Sequence, residues 1–115
     1  MDSQEGNQTC GRILAAVKII GDKWSSLIIN ELVGGPRRFG EIADALGVGP
    51  RTLSQRLDAM EAEGVVAKQH FNEVPPRVEY SLTKKGRDLV PVLLSMAEWC
   101  TKYPAVDAGS DKGVQ

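Results

Sequence analysis

The sequence is poor in the residues from which metal sites and most catalytic sites are built. Its 115 residues include one histidine and two cysteines, with no Cys-x-x-Cys pair and no Cys/His pair at ligand spacing. A structural zinc site needs about four such ligands, so the sequence predicts no metal and no cofactor. It also lacks a glycine-rich phosphate loop, and Glu61 and Glu63 are interpreted as a solvated helix end. An enzyme is therefore not expected.

Long apolar runs are absent as well. No stretch of about 20 residues is free of charges, which argues against a membrane span. The N-terminal residues MDSQEGNQTCG are polar and do not resemble a signal peptide. The two cysteines, Cys10 and Cys100, lie far apart, as expected for free thiols in a reducing compartment. A cytoplasmic protein without a membrane partner is predicted.

Positive charge is scarce overall but unevenly distributed. The formal net charge is −1, yet the segments 37–56 and 68–87 together contain nine basic and four acidic residues. Binding to a phosphate backbone requires basic residues clustered on one face of the protein, and it does not require a positive net charge. The distribution is compatible with nucleic-acid binding, and an ordinary solvated surface would show it too.

What the sequence does contain is a series of short amphipathic segments in a single domain. Apolar residues at helical spacing predict a helix from Arg12 to Ile20, and Asp22 is suited to cap a second helix, which Gly34-Gly35-Pro36 ends. We expect a disordered arm over residues 1–10, one folded domain over residues 11–103 and a flexible tail over residues 104–115.

The central segment predicts a helix-turn-helix followed by a β-hairpin wing. After an extended link at 37–39, a short helix ends at Gly47, and Pro50 opens a second helix that Gly64 closes. Strands are predicted at 65–71 and 77–82, with trans prolines in the turn between them. A last helix, capped by Thr83, is predicted from Lys84 to about Lys102, with a kink or a break at Pro91.

The second helix of this motif is the predicted recognition helix. Leu53, Leu57 and Met60 mark its inward face, and Arg51 and Gln55 lie nearly opposite, where they are suited to read guanine and adenine edges. The remaining predicted DNA contacts are phosphate contacts, made by residues of this helix, of the wing and of the link. They are Thr52, Ser54, Arg56, Arg77, Lys68 and Arg38. An outward polar face alone occurs on most surface helices. The hairpin directly after it favours the DNA-binding interpretation.

Several motifs together resemble one family. They are Gly21-Asp22-Lys23-Trp24, Arg38-Phe39 with Glu41-Ile42, Leu53-Ser54-Gln55-Arg56-Leu57, Glu61 with Gly64-Val65-Val66, the segment 75–83 (PPRVEYSLT) and Gly86. Over about Ile13 to Trp99 the chain resembles the HxlR family of winged helix-turn-helix regulators. The resemblance implies a mainly helical α+β fold and a homodimer on a palindromic operator in double-stranded DNA.

In that family the first and last helices form the dimer interface. The resemblance therefore implies interface roles for apolar residues of both helices. For those on the last helix, a place in the core is an equally good interpretation. The predicted interface residues are Ile13, Leu14, Val17, Leu93, Met96 and Trp99. The broad apolar surface of the last helix agrees with a dimer, since a monomer of this size cannot cover it fully.

Two alternatives of the same fold remain open. Many family members carry an N-terminal Cys-Pro, and some of them sense oxidants through it. Here Cys10 precedes Gly11 and lies one residue early, so a redox role for Cys10 is the alternative to an unreactive thiol, and Cys100 is expected to pack. A small-molecule or oxidant effector, bound between subunits, is a further candidate partner. A winged-helix module that contacts only proteins is the second alternative.

Overall fold

The computed structural model describes the backbone of residues 3–104 and the side chains of residues 8–104. It has the mainly helical α+β architecture that the sequence predicts. In chain order the elements are α1 (Ser3–Ile20), α2 (Lys23–Leu32), β1 (Arg37–Arg38), α3 (Phe39–Leu46), α4 (Pro50–Ala62), β2 (Val66–Phe71), β3 (Arg77–Leu82), α5 (Lys84–Arg87) and α6 (Val90–Lys102). Within the described residues, no helix is long and apolar enough to cross a membrane.

The first helix begins earlier than the sequence analysis predicts. α1 starts at Ser3, so residues 3–10 of the predicted disordered arm are helical. This stretch contains no proline, and extending a helix that downstream residues have already nucleated costs little per residue. Residues 1–2 of the predicted arm and residues 105–115 of the predicted tail lie outside the described residues.

The predicted helix boundaries at α2, α3 and α4 are confirmed by their caps. The Asp22 carboxylate accepts hydrogen bonds from the backbone N–H groups of Trp24 (2.8 Å) and Ser25 (3.2 Å) and so caps α2. Gly47 ends α3 in the left-handed conformation with φ 65°, which a glycine adopts without steric cost. Pro50 occupies the first turn of α4, where a missing N–H does no harm.

The sheet contains three strands in the order β1-β3-β2, all antiparallel to their neighbours. The predicted hairpin is present as β2 and β3, with Lys68 opposite Tyr80. The residues expected to be a mere link also pair with β3, Arg37 with Tyr80 and Arg38 with Glu79, and form β1. The Val74–Pro75 bond is cis, so the expectation of trans bonds at both prolines is wrong for Pro75.

The core lies between α2, α3, α4 and one face of the sheet. Its fully buried members include Ile28 and Ile29 of α2, Ile42 of α3 and Leu53 of α4, each with no exposed surface. Val65 and Val66 close the core from the start of β2. Because α2 contacts both α3 and α4, it fixes the two helices of the helix-turn-helix against the base of the wing.

The C-terminal helix is broken before Pro91, which decides between the predicted kink and the predicted break. α5 is capped by Thr83, whose hydroxyl oxygen accepts the Gly86 N–H at 3.0 Å, and Pro91 lies in the first turn of α6. A Cβ atom on Gly86 would lie 2.1 Å from the Val65 carbonyl oxygen. The glycine is therefore required for α5 to sit on the backbone at the start of the wing.

Candidate nucleic-acid interface

The recognition helix α4 presents one buried and one exposed face, in the phase that the sequence predicts. Leu53, Leu57 and Met60 are buried in the core. Four of the predicted DNA contacts are exposed on the N-terminal half of the helix, and they are Arg51, Thr52, Ser54 and Gln55. None of the ion pairs among residues 8–104 involves Arg51. Its five N–H donors therefore have no competing carboxylate.

The turn before α4 sets how this end of the helix projects. It consists of Gly47, Val48 and Gly49, and only the middle residue carries a side chain, which is buried in the core. Gly49 occupies the cap position of α4 and makes no side-chain cap hydrogen bond. Gly49 thus leaves the first N–H groups of α4 without a cap from the residue at that position, and such groups are suited to bind an anion.

Arg56 differs from the other predicted contacts on α4. Its Nη1 lies 3.6 Å from Oδ2 of Asp22, and the side chain is only one-third exposed. It therefore faces the start of α2 and not the outward side of the helix. The sequence predicts a phosphate contact for Arg56, and no local pattern reports its partner Asp22, which lies far away in the chain.

Arg77 is held within the wing. Its guanidinium lies 3.1 Å from the Glu73 carboxylate and 3.5 Å from that of Glu79, and it stacks 4.0 Å from the centre of the Phe71 ring. These contacts surround the cation on three sides, and the side chain is one-quarter exposed. Arg77 thus joins the two strands near the tip, and it is less available to DNA than the sequence analysis expects.

Two other predicted contacts remain on the surface. Lys68 is exposed on β2, with Nζ 5.9 Å from the centre of the Tyr80 ring. The Arg38 side chain is exposed where β1 meets α3, and its backbone N–H donates to Oε1 of Glu41 at 2.8 Å. The structure thus leaves cations on both sides of the wing sheet, one on each edge strand.

A separate exposed surface is apolar and lies on α1 and α6. Ile13, Leu14 and Val17 are each at least half exposed on α1, as are Met96 and Trp99 on α6. Leu93 is partly buried and packs against the core, which agrees with the core role that the sequence also allows for it. Val92 and Tyr103 are exposed and continue the Met96–Trp99 face at spacings of four, three and four. The helical spacing of these residues is visible in the sequence, although neither Val92 nor Tyr103 is among the predicted interface residues.

Both cysteines are free and exposed at these apolar faces. Cys10 lies three residues before Ile13 and four before Leu14, so the three share one face of α1. Cys100 lies four residues after Met96 on α6 and is exposed, so its predicted packing role is wrong for the single chain. No cluster of three or more metal-ligating side chains occurs among the described residues.

Comparisons with known proteins agree with this geometry. A model of the family described as HxlR-like helix-turn-helix matches residues 19–107. The chain is 42% identical over 98 residues to YvaP of Bacillus subtilis (strain 168), an uncharacterized HTH-type transcriptional regulator, and the match covers 84% of this chain and 91% of YvaP.

Two solved structures are similar over most of their length. The redox regulator HypR in its oxidized form has a TM-score of 0.74 and 34% identity, covering 83% of this chain and 99% of HypR. The reduced form of the transcriptional regulator YodB from Bacillus subtilis has a TM-score of 0.76 and 33% identity, covering 81% of this chain and 92% of YodB. The fold, the family match and these relatives agree, and this protein belongs to the HxlR-like helix-turn-helix family of transcriptional regulators.

Proposed function

We propose that this protein regulates transcription as a homodimer that binds a palindromic operator, with one α4 helix in the major groove of each half-site. The observation that carries the proposal is the group of exposed polar side chains on the N-terminal half of α4, whose opposite face is buried in the core. In the winged-helix arrangement this end of the helix meets the base edges. Such a function implies that the protein acts on the chromosome in the cytoplasm.

The exposed α4 residues divide into two chemical groups. Arg51 is suited to donate two parallel hydrogen bonds to guanine. Gln55 is suited to pair with adenine, with its amide N–H donating to N7 and its amide oxygen accepting from the N6 amino group. Thr52 and Ser54 flank them and carry hydroxyl groups that bind phosphate, which fixes the register on the duplex without reading sequence. Lys68 and Arg38, on the two edges of the sheet, add phosphate contacts beside the groove.

Arg56 and Arg77 have indirect roles in this proposal. Arg56 orients α4 through the Asp22 carboxylate, and Arg77 holds the wing in shape through Glu73 and Phe71. Both act on binding by positioning elements that touch DNA. Their substitution is therefore expected to reduce affinity for all sequences to a similar degree, without a change in the preferred site.

The apolar surface of α1 and α6 supports the dimer. A single chain leaves Leu14, Met96 and Trp99 half or more exposed, together with their neighbours on both helices. A surface helix normally buries its apolar stripe, and in a two-fold symmetric dimer the same stripe of a second copy can cover it. Two-fold symmetry then places the two α4 helices at half-sites about one helical turn apart, on one side of the DNA.

Selection of bound DNA from a random pool tests the proposal directly. The expected product is a palindrome whose half-site centres are separated by about 10 base pairs or a multiple of that spacing. Enrichment of an unpaired single site would contradict the dimer. Failure to enrich any sequence, with a folded protein, would favour the module that contacts only proteins.

A second candidate property is a response to oxidants. Cys10 and Cys100 are free and exposed, and the similar structures include a regulator described as a redox regulator. Disulfide formation would remove two protons and two electrons from a pair of thiols, and the added oxidant diamide would be reduced by the same two protons and electrons. Operator affinity of the wild type and of Cys10→Ser, with diamide and then with dithiothreitol, tests it. An equal response of the two proteins would exclude Cys10 as the sensor.

A further inference from the structure

An apolar groove lies where the wing sheet meets the start of α6. Its volume is about 590 Å³, within the usual range for small-molecule sites. Apolar walls come from the end of α2, the end of β3 and the first turn of α6, and they are formed by Leu32, Val33, Leu82, Val90 and Pro91. The groove thus joins three elements that the helix-turn-helix motif itself does not contain.

One cation lies in this mainly apolar lining. The Nη1 group of Arg87 donates to the Leu82 carbonyl oxygen at 2.9 Å, which holds the guanidinium beside the groove. No carboxylate among residues 8–104 pairs with it, and the adjacent Asp88 carboxylate pairs with Lys84 at 3.0 Å. Arg87 therefore keeps several N–H donors for an external anion.

We propose that this groove binds a small regulatory ligand with an apolar body and a carboxylate group. The apolar body lies against Leu32, Val33 and Val90, and the carboxylate pairs with Arg87, with the Ser81 hydroxyl as a second donor in the lining. A carboxylate matches the planar fork of a guanidinium, which Arg87 presents at the edge of the groove. The regulatory part of this inference rests on the DNA-binding function proposed above.

A second copy of the chain does not match this groove chemically. The apolar face of α1, which is the other half of the proposed dimer surface, lies in a stretch from Gln8 to Ile20 that contains no acidic residue. It could not neutralise Arg87. Of the exposed residues on the proposed dimer face of α6, Met96 and Trp99 lie further along the helix than the groove-lining Val90 and Pro91, and Val92 is not part of the lining. A separate anionic ligand is the better occupant.

The position of the groove explains how a ligand would affect DNA binding. Leu82 pairs with Val66 at the base of the wing, and Val90 and Pro91 begin the helix that carries the proposed dimer face. A ligand between them sets the angle of the wing relative to α6, and with it the distance between the two recognition helices. A ligand that prefers one angle must change operator affinity, and DNA must change ligand affinity by the same factor.

The test uses 1-naphthoate as the carboxylate probe and uncharged 1-naphthamide as its matched control, both added to the full chain without DNA. The binding is followed by NMR of the Leu32, Val33 and Val90 methyl groups and of the Arg87 Nε–H group. Saturable shifts at these positions are expected with naphthoate. The affinity of the wild type for naphthamide should be about tenfold or more below its affinity for naphthoate, and Arg87→Gln should weaken naphthoate binding by a similar factor. The control variant Lys84→Gln removes an exposed cation outside the lining and should bind naphthoate as the wild type does.

Other outcomes would overturn the proposal. These are the absence of saturable shifts in the folded wild type, equal affinity for the two probes, or shifts confined to the apolar face of α1 and α6. Groove methyl groups that are shielded from solvent in the dimer and do not respond to naphthoate would assign the groove to a second copy instead.

Titration of the selected operator with and without naphthoate then tests the regulatory step. At least a severalfold change in operator affinity is expected, and an unchanged affinity at saturating naphthoate would overturn that step. Binding of naphthoate without any operator binding would defeat the proposed DNA-binding function and leave the groove assignment intact. The two failures are therefore distinguishable.

Discussion

At the scale of single residues, Asp22 has two tasks. One carboxylate oxygen accepts the N–H groups of Trp24 and Ser25 and begins α2, and the other lies 3.6 Å from Arg56 on α4. The ion pair is about one-third exposed, so it contributes only about 0.2–1 kcal/mol. The cap contributes about 0.5–2 kcal/mol. Asp22 therefore matters first for α2 and second for the orientation of the recognition helix.

Substitution of Asp22 separates these tasks. Asp22→Ala is expected to lower the free energy of unfolding by about 1–2 kcal/mol, because it removes the cap as well as the charge. Asp22→Asn keeps a capping oxygen and should lose less than about 1 kcal/mol. Urea denaturation followed by circular dichroism measures both. Equal losses in the two variants would show that the ion pair, and not the cap, carries the effect.

The exposure of Arg51 and Gln55 could be predicted from the sequence, because helical phase alone places them opposite Leu53 and Leu57. The surroundings of Arg56 and Arg77 could not. Arg56 pairs with a residue of another helix, and Arg77 stacks on Phe71 across the hairpin. Such partners are brought together by tertiary structure, and no local spacing of residues reports them.

At the scale of elements, most boundaries follow from glycine, proline and capping residues visible in the sequence. Gly47, Pro50 and Thr83 each stand where the structure begins or ends a helix. β1 could not be predicted in this way, because two residues form a strand only by pairing with Tyr80 and Glu79, far along the chain. The start of α1 at Ser3 cannot be predicted in this way either, since no local signal fixes it.

The close packing of α5 against the backbone at Val65 gives a prediction at this scale. Gly86→Ala is expected to destabilise the fold by about 1–3 kcal/mol or more, because the new methyl group meets the Val65 carbonyl oxygen. Gly40→Ala, in α3, meets nothing within 4 Å and should be neutral or stabilising by up to about 1 kcal/mol. Thermal denaturation of both variants provides the comparison. A Gly86→Ala protein as stable as the wild type would contradict this packing of α5.

At the scale of the whole molecule, the described surface has two chemically distinct regions. The N-terminal half of α4 and the wing edges are polar and cationic, and α1 and α6 expose apolar side chains together with both thiols. A chain of this size buries a modest core, so the exposed apolar helices gain most from a second copy. The dimer is thus expected to contribute to stability as well as to operator recognition.

Two charge insertions test the dimer surface. Trp99→Glu is expected to raise the dimer dissociation constant at least about tenfold, because it places a charge in an apolar interface. Val74→Glu inserts the same charge at the fully exposed wing tip and should leave the association unchanged. Sedimentation equilibrium over a range of protein concentrations measures both. Dimers of equal strength in the two variants would place the interface elsewhere.

The central claim is that the exposed face of α4 reads DNA, and fluorescence anisotropy with the selected operator tests it most directly. Arg51→Ala and Gln55→Ala should each cost about 1–3 kcal/mol for each base pair that the residue reads and relax the preference there. Lys84→Ala also removes one positive charge, but α5 begins beside Gly64, at the opposite end of α4, so binding should stay close to that of the wild type. A double variant Arg51→Ala/Gln55→Ala that binds the operator as tightly as the wild type would contradict the account.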